Sequence, residues 1–289
     1  MLVYLNGEFV PREQAMVSVE DRGFMLGDGV YEVIRAVDGQ LFTATEHLVR
    51  MDEGLSALRI KLPANISRQS ILDIAEHLLA ENELQEGHAT VYIQVTRGAA
   101  PRTHFFPPSP VEPTLYMAVA PFNTPQKLRE AGADAIICPD VRWSRCNLKT
   151  ISLLANVLAK QAAAESGAVE AILVRDGVVT EGASTNVFVA RDGQLRTYPI
   201  CNYILAGITR GVVIELAGEL GISVVERPVR VEELVRADEV FLTGTTTDVL
   251  PIVRVDEAPI GSGEPGPIAL ALGRALAARM DQPQLLVKG

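Results

Sequence analysis

Four of the chain's five Asx-Gly dipeptides constrain its fold more than any other feature. Asn6-Gly7, Asp38-Gly39, Asp176-Gly177 and Asp192-Gly193 each lie between alternating or β-rich runs. A tight two-residue hairpin turn needs positive φ, which Asn, Asp and Gly reach at least cost, so each pair predicts an antiparallel hairpin. The flanking strands are expected at residues 2–4 and 8–11, 30–37 and 40–43, 171–174 and 178–180, and 186–189 and 194–197. Further strands are expected at 90–96, 114–120, 134–138 and 240–242. Helical spacing of apolar residues marks 45–58, 67–81, 151–165, 208–220, 231–236 and 266–280. Strands and helices mix without a βαβ rhythm, which argues against a doubly wound sheet and for a mixed α+β class.

At 289 residues the chain exceeds one average domain of roughly 100–200 residues. The best linker is 121–126, around Pro121-Phe122-Asn123-Thr124-Pro125, giving an N-terminal domain at 1–120 and a C-terminal one at 127–289. A proline-rich loop from Gly98 to Pro113 lies within the first, and loops this long are usually functional or mobile. The net charge of −10 argues against a nucleic acid or an anionic membrane as partner, because both repel an acidic surface. It leaves room for arginines around a small anion. No run approaches the ~18 apolar residues of a membrane span and no basic-then-apolar leader opens the chain, so a cytoplasmic enzyme is expected. Cys138, Cys146 and Cys201 are too few and too unevenly spaced for a disulfide framework, and His47, His77, His88 and His104 lack paired ligand spacing. No metal site is expected.

Two motifs match known patterns only superficially. Gly261-Ser-Gly263-Glu-Pro-Gly266 spells the dinucleotide pattern, but Glu264 would face the pyrophosphate and no βαβ unit fits in the remaining chain. Gly182-Ala-Ser184-Thr-Asn186 resembles a serine nucleophile elbow, yet it runs from strand to strand, not strand to helix.

The lysines are more informative, because there are only five: Lys61, Lys127, Lys149, Lys160 and Lys288. Four sit in polar, helical-surface or terminal surroundings. Lys149 lies between a strand and a helix, flanked by Leu148 and Ile151, where an apolar setting lowers its pKa and frees its amine for nucleophilic work; from composition alone an ordinary lysine is the commoner case. Glu181, at a strand end before small hydroxylated residues, reads either as an acid with donors at one sheet edge or as a plain turn. Gly207-Ile208-Thr209 opens a helix with free N–H groups that suit a phosphate, though a plain capped helix explains it as well. Gly244-Thr245-Thr246-Thr247 offers a second set of donors.

Taken in order, these segments resemble the fold-type-IV pyridoxal-phosphate enzymes, closest to the D-amino-acid aminotransferases. The resemblance rests on Asp21-Arg-Gly-Phe-Met-Leu-Gly-Asp-Gly-Val-Tyr31-Glu, Arg145-Cys-Asn-Leu-Lys149, Leu158-Ala-Lys-Gln161, Glu170-Ala-Ile-Leu173, the stretch from Thr180 to Phe188, and Gly207-Ile-Thr-Arg210. It implies a two-domain fold with pyridoxal 5′-phosphate between the domains. Lys149 then matches the lysine that bonds the cofactor aldehyde and later shuttles the substrate Cα proton. Glu181 matches the carboxylate on the pyridine nitrogen, and Arg50, Ile208, Thr209 and Thr245 match the phosphate ligands. Leu205 matches the apolar residue against the ring.

The loop carrying Arg102-Thr-His104 matches a segment that, in the family, reaches across a homodimer. With Tyr31, Arg102 and His104 would hold the substrate α-carboxylate, which favours D-amino acids as donors and 2-oxo acids as acceptors. Aminodeoxychorismate lyase and branched-chain (L) aminotransferases share the lysine and glutamate but not this pair. A non-catalytic cofactor binder would need neither. Phe24, Met25 and Leu26 and the stretch 197–202 depart from the family's pattern, which bears on side-chain preference.

Overall fold

All eight residues of the four Asx-Gly pairs have positive φ, from 47° at Asp38 to 102° at Gly7. Each closes an antiparallel hairpin: β1 (Leu2–Leu5) with β2 (Glu8–Pro11), β3 (Gly29–Val37) with β4 (Gln40–Leu41), β8 (Glu170–Arg175) with β9 (Val178–Gly182), and β10 (Asn186–Arg191) with β11 (Gln194–Thr197). This is a computed structural model, and it describes residues 1–282. They form two compact units: Met1–Asn123 with Leu148–Ser152, and Thr124–Asn147 with Leu153–Gln282.

In the first unit, β5 (His88–Thr96) and β6 (Thr114–Pro121) complete a wholly antiparallel sheet in the order β2-β1-β6-β5-β3-β4. Two helices, α2 (Ala44–Leu58) and α3 (Arg68–Glu81), supply Leu48, Met51, Leu55, Ile71, Ala75 and Leu78 to a core shared with Ile34, Val91, Ile93 and Met117. Ser67 starts α3 through a capping box with Ser70, which satisfies two orphan donors. The short α1 (Arg22–Leu26) is capped by Asp21, whose carboxylate accepts from Gly23 N–H, and it leaves Phe24 exposed.

The open edge of β3 decides where Lys149 goes. β4 pairs only with residues 36 and 37, so the other end of that edge is vacant. Residues 149–151 fill it: Tyr31 N–H donates to Lys149 O at 3.0 Å and Ile151 N–H to Gly29 O at 3.1 Å. Helix α5 therefore begins at Leu154 (Leu154–Glu165) and not at 151, because the Ile151 amide is already used in extended pairing.

The second unit opens with α4 (Gln126–Ala131) and β7 (Ala133–Pro139). Its ten-stranded sheet also holds β12 (Val224–Glu226), β13 (Val229–Arg230), β14 (Glu239–Gly244), β15 (Asp248–Val255) and β16 (Ala258–Pro259). Its order is β12-β11-β10-β14-β15-β7-β8-β9-β13, with β16 on β15. The pairs β7–β8, β15–β7 and β11–β12 are parallel, so the sheet is mixed. Helices α6 (Ile208–Glu219), α7 (Val231–Leu234) and α8 (Pro267–Met280) complete the unit.

Strand β15 is absent from the sequence expectation because Pro251 interrupts its pattern, and proline is normally excluded from central strands. It is tolerated because β7 pairing starts only at Ile252, so one side of Pro251 has no ladder to complete.

Candidate active site

In the first unit, Lys149 is half-buried, and its Nζ lies 4.3 Å from the centroid of the Tyr31 ring. Lys61, Lys127 and Lys160 are exposed, and Lys160 donates to Val169 O at 2.7 Å; Lys288 lies outside the described residues. Alternation along β3 turns Tyr31 to one face, where it stacks on Tyr92 at 5.8 Å, and Glu32 to the other. Glu32 is fully buried against α2. Arg50 donates to it twice, Nε to Oε1 at 2.7 Å and Nη2 to Oε2 at 2.8 Å, and His47 Nδ1 lies 2.7 Å from Oε2. Burial works to raise the Glu32 carboxyl, but Arg50 and His47 outweigh it and hold it at about 2. Burial dominates at His47 and lowers its imidazole, against the pull of Glu32. Arg50, expected on a phosphate, thus has one edge of its fork fixed to Glu32.

Glu32 and His47 were not singled out from sequence. The usable signal was the i, i+3 spacing of His47 and Arg50 on one helix face.

In the second unit, Glu181 ends β9 and is buried. Its Oε2 accepts from Asn186 Nδ2 and from Leu205 N–H, both at 3.0 Å, and its Oε1 accepts from Arg142 Nη1. Asn186 also donates to Leu205 O at 2.9 Å, so Leu205 is held by its backbone. A Cβ on Gly207 would overlap the Asn186 amide oxygen, so only glycine lets the start of α6 come this close to the Glu181 group. The Gly244 turn, which carries Thr245, lies against Ser184 and Thr185. Glu181, Leu205, Ile208 and Thr209 therefore sit in one neighbourhood linked through Asn186.

Arg142, another residue not foreseen, is shared. Its Nε and Nη2 both bind Asp140, at 2.9 Å each, which leaves only Nη1 for Glu181. Burial consequently wins at Glu181 and lifts its carboxyl to about 7, with Asp140 adding to the rise and Arg142 opposing it.

The two helix starts in this unit differ. Glu239 accepts from Ile268 and Ala269 N–H at 3.0 and 2.9 Å, so α8 carries its own anion, and a Cβ on Gly266 would overlap that carboxylate. Of the glycines in 261–266, Gly266 serves this contact, while a Cβ on Gly261 would overlap Asp238 O. At α6 no side chain caps the helix and no acid stands in its first turn, so the positive dipole end at Ile208 and Thr209 has no anion of its own.

Ser184 is no nucleophile elbow either. Its hydroxyl donates to Glu170 at 2.8 Å, between two strands. Cys146 is buried, and burial lifts its thiol to about 11.

Arg102 and His104 are both exposed, and among the described residues neither side chain has a hydrogen bond or ion pair. Nothing among the described residues brings them to Tyr31.

The sequence matches the family described as amino-transferase class IV over residues 29–255. The chain belongs to the class IV aminotransferases. Among the similar relatives of this class IV aminotransferase, the D-alanine aminotransferase of Staphylococcus haemolyticus is 43% identical over 93% of this chain and 94% of its own length. That of Bacillus licheniformis is 42% identical over 96% of both. Of solved structures, the branched-chain amino acid aminotransferase from Escherichia coli superposes with a TM-score of 0.85 at 28% identity, covering 96% of this chain and 93% of that one. The branched-chain aminotransferase from the thermophilic archaeon Thermoproteus uzoniensis, solved with norvaline, gives 0.86 at 28% identity, over 97% and 94%.

Class IV aminotransferases use pyridoxal phosphate, and the residues here fit that group. One guanidinium divided between Asp140 and Glu181 leaves Glu181 short of positive charge and with acceptor capacity on Oε1, which suits a cationic ring N–H. The uncapped start of α6 suits a phosphate.

Proposed function

We propose that the chain is a pyridoxal-phosphate-dependent D-amino-acid transaminase, which moves the amino group between a D-amino acid such as D-alanine and a 2-oxo acid such as 2-oxoglutarate or pyruvate. The observation that carries the chemistry is Lys149, alone among the described lysines in being half-buried, with its backbone held on β3 and its amine over Tyr31. The D-alanine aminotransferases at 42–44% identity over most of the chain support the substrate class.

When bound, the cofactor supplies an aldehyde for the amino group and a cationic ring that withdraws electrons from the substrate Cα. Lys149 would hold that aldehyde through its Nζ, and the same amine, once free, would serve as the base and acid for the substrate Cα proton. Glu181 would hold the proton of the ring nitrogen, a task its raised basicity favours. Arg50, Ile208, Thr209 and Thr245 hold the phosphate, and Leu205 packs on the ring. Glu32 fixes Arg50 while doing none of the chemistry itself.

Arg102 and His104, with Tyr31, bind the substrate α-carboxylate, for which the rigid arginine fork is well shaped. Their exposure in a single chain is consistent with service in the neighbouring subunit of a homodimer. The bare apolar stripe Leu154, Val157 and Leu158 on α5 also fits a second copy. A cytoplasmic setting accords with three unpaired cysteines.

Mixing holoenzyme with D- or L-alanine and following the visible absorbance of the bound cofactor tests this reading. Bleaching with D-alanine alone is expected. Bleaching with L-alanine alone would move the chain to the branched-chain side, and none with either would leave a binder. Lys149→Ala should abolish turnover; a fully active variant would falsify the assignment.

A further inference from the structure

In the first unit two buried arginines converge on one acid. Asp28 accepts from Arg22 Nε at 2.9 Å and from Arg97 twice, Nε at 2.7 Å and Nη2 at 2.9 Å. The side chains of Arg22, Asp28 and Arg97 are only 4%, 13% and 10% exposed, far more buried than surface ion pairs. Burial raises the Asp28 carboxyl, but the two guanidiniums outweigh it and hold it below the usual range.

Each arginine has a second task. Arg97 donates to Arg59 O at 3.0 Å and Leu58 O at 2.7 Å, the last carbonyls of α2, whose negative dipole end offsets the cluster's surplus positive charge. Its guanidinium also lies 4.0 Å over the Phe106 ring. Arg22 sends Nη1 to Thr103 O at 2.9 Å. Thr103 is the residue between Arg102 and His104.

The loop these contacts reach has little else to hold its tip. Its base is fixed by Arg22 N–H to Gly98 O and Ala100 N–H to Glu20 O, both at 3.0 Å. Its two ends touch where Gly98, at φ 90°, meets Glu112 O, an approach that leaves no space for a Cβ. Between these ends Thr103 and Phe106 are tied to the arginine cluster, while Arg102 and His104 stay exposed.

We propose that Arg22, backed by Asp28 and Arg97, is the positioning residue of the substrate-carboxylate trap: it grips the peptide carbonyl between Arg102 and His104, while Arg97 holds Phe106. The trap side chains then leave a backbone ordered before substrate arrives, so binding does not have to order it. This rests on the assignment of Arg102 and His104 given above.

A double-mutant cycle on the holoenzyme tests it, with Arg22→Gln, Arg102→Ala and the pair together. Losing a charge-assisted hydrogen bond should raise KM for D-alanine roughly tenfold in Arg22→Gln. Cofactor absorbance should be retained and kcat should stay within about threefold. In the Arg102→Ala background the same change should add no more than about threefold, since the grip then positions His104 alone. Amide exchange should quicken across residues 99–106.

Additive effects, or an unchanged KM in a folded Arg22→Gln, overturn the proposal. Should Arg22→Gln not fold, Phe106→Ala acts on the half-exposed side of the same clamp. About a threefold rise in KM is expected there, and no rise overturns the proposal. An unchanged KM in Arg102→Ala rejects the trap itself, whereas a raised one there with none in Arg22→Gln rejects only the clamp.

Discussion

Glu32 and Glu181 are both buried, and each faces an arginine, yet their carboxyls settle at about 2 and about 7. The difference is one of charge supply. Arg50 gives Glu32 two donors from one edge, and His47 adds a third contact. Arg142 commits two donors to Asp140 and reaches Glu181 with one, while Asp140 adds a like charge nearby. The first acid is satisfied by its own chain and anchors the fold. The second is left short of positive charge.

The two should respond to pH with opposite sign. Glu32 titrates lower in the folded chain than its ordinary 4.5, so its stabilisation is present above pH 4.5 and lost as pH falls through about 2. Glu181 titrates higher, so its contribution is full below pH 4.5 and lost as pH rises through about 7.

The comparison can be broken most severely at Glu32. Glu32→Gln leaves Arg50 and His47 without their anion and should cost about 3–5 kcal/mol in urea unfolding at pH 7; a loss under ~1 kcal/mol would mean the acid is no anchor. Next in size, Glu181→Gln should keep the fold but lower amino transfer by about 100-fold or more, as removal of a preorganised charge does elsewhere. Turnover within a few-fold of the parent would show that the ring nitrogen needs no carboxylate.

A smaller effect should appear in cofactor-free protein. Stability should fall by on the order of 2 kcal/mol between pH 4.5 and 7 through Glu181, and Glu181→Gln should remove that slope. A slope that persists in the variant assigns it to another group. Smallest of all, Asp140→Asn releases Arg142 to Glu181 and should move the Glu181 carboxyl downward, read by carbon NMR of the labelled side chain. An upward movement would contradict the shared-arginine account.

Local chemistry was the legible part of the sequence. The Asx-Gly turns, the isolated Lys149 and the strand-end Glu181 each carry their signal within a few residues, and the family resemblance attached roles to them. What escaped was made by distant partners or by exceptions to local rules. Glu32 meets His47 only when α2 packs on β3, and Arg142 gains meaning only from Asp140 and Glu181 together. Strand β15 was hidden by Pro251, whose cost vanishes only in a lopsided pairing no pattern reveals. Helix α5 was expected too early because Ile151 fits helical spacing while its amide belongs to β3.

Among the described residues the chain enters its first unit twice, the second time for only the five residues Leu148–Ser152 around Lys149. For anyone recombining such enzymes, Lys149 is thus inherited with one half of the gene and its backbone partners with the other. A hybrid joined at residue 123 would set 149–151 from one parent against 29–31 from another. Matching those two short stretches should matter more to a chimera's success than the choice of crossover point.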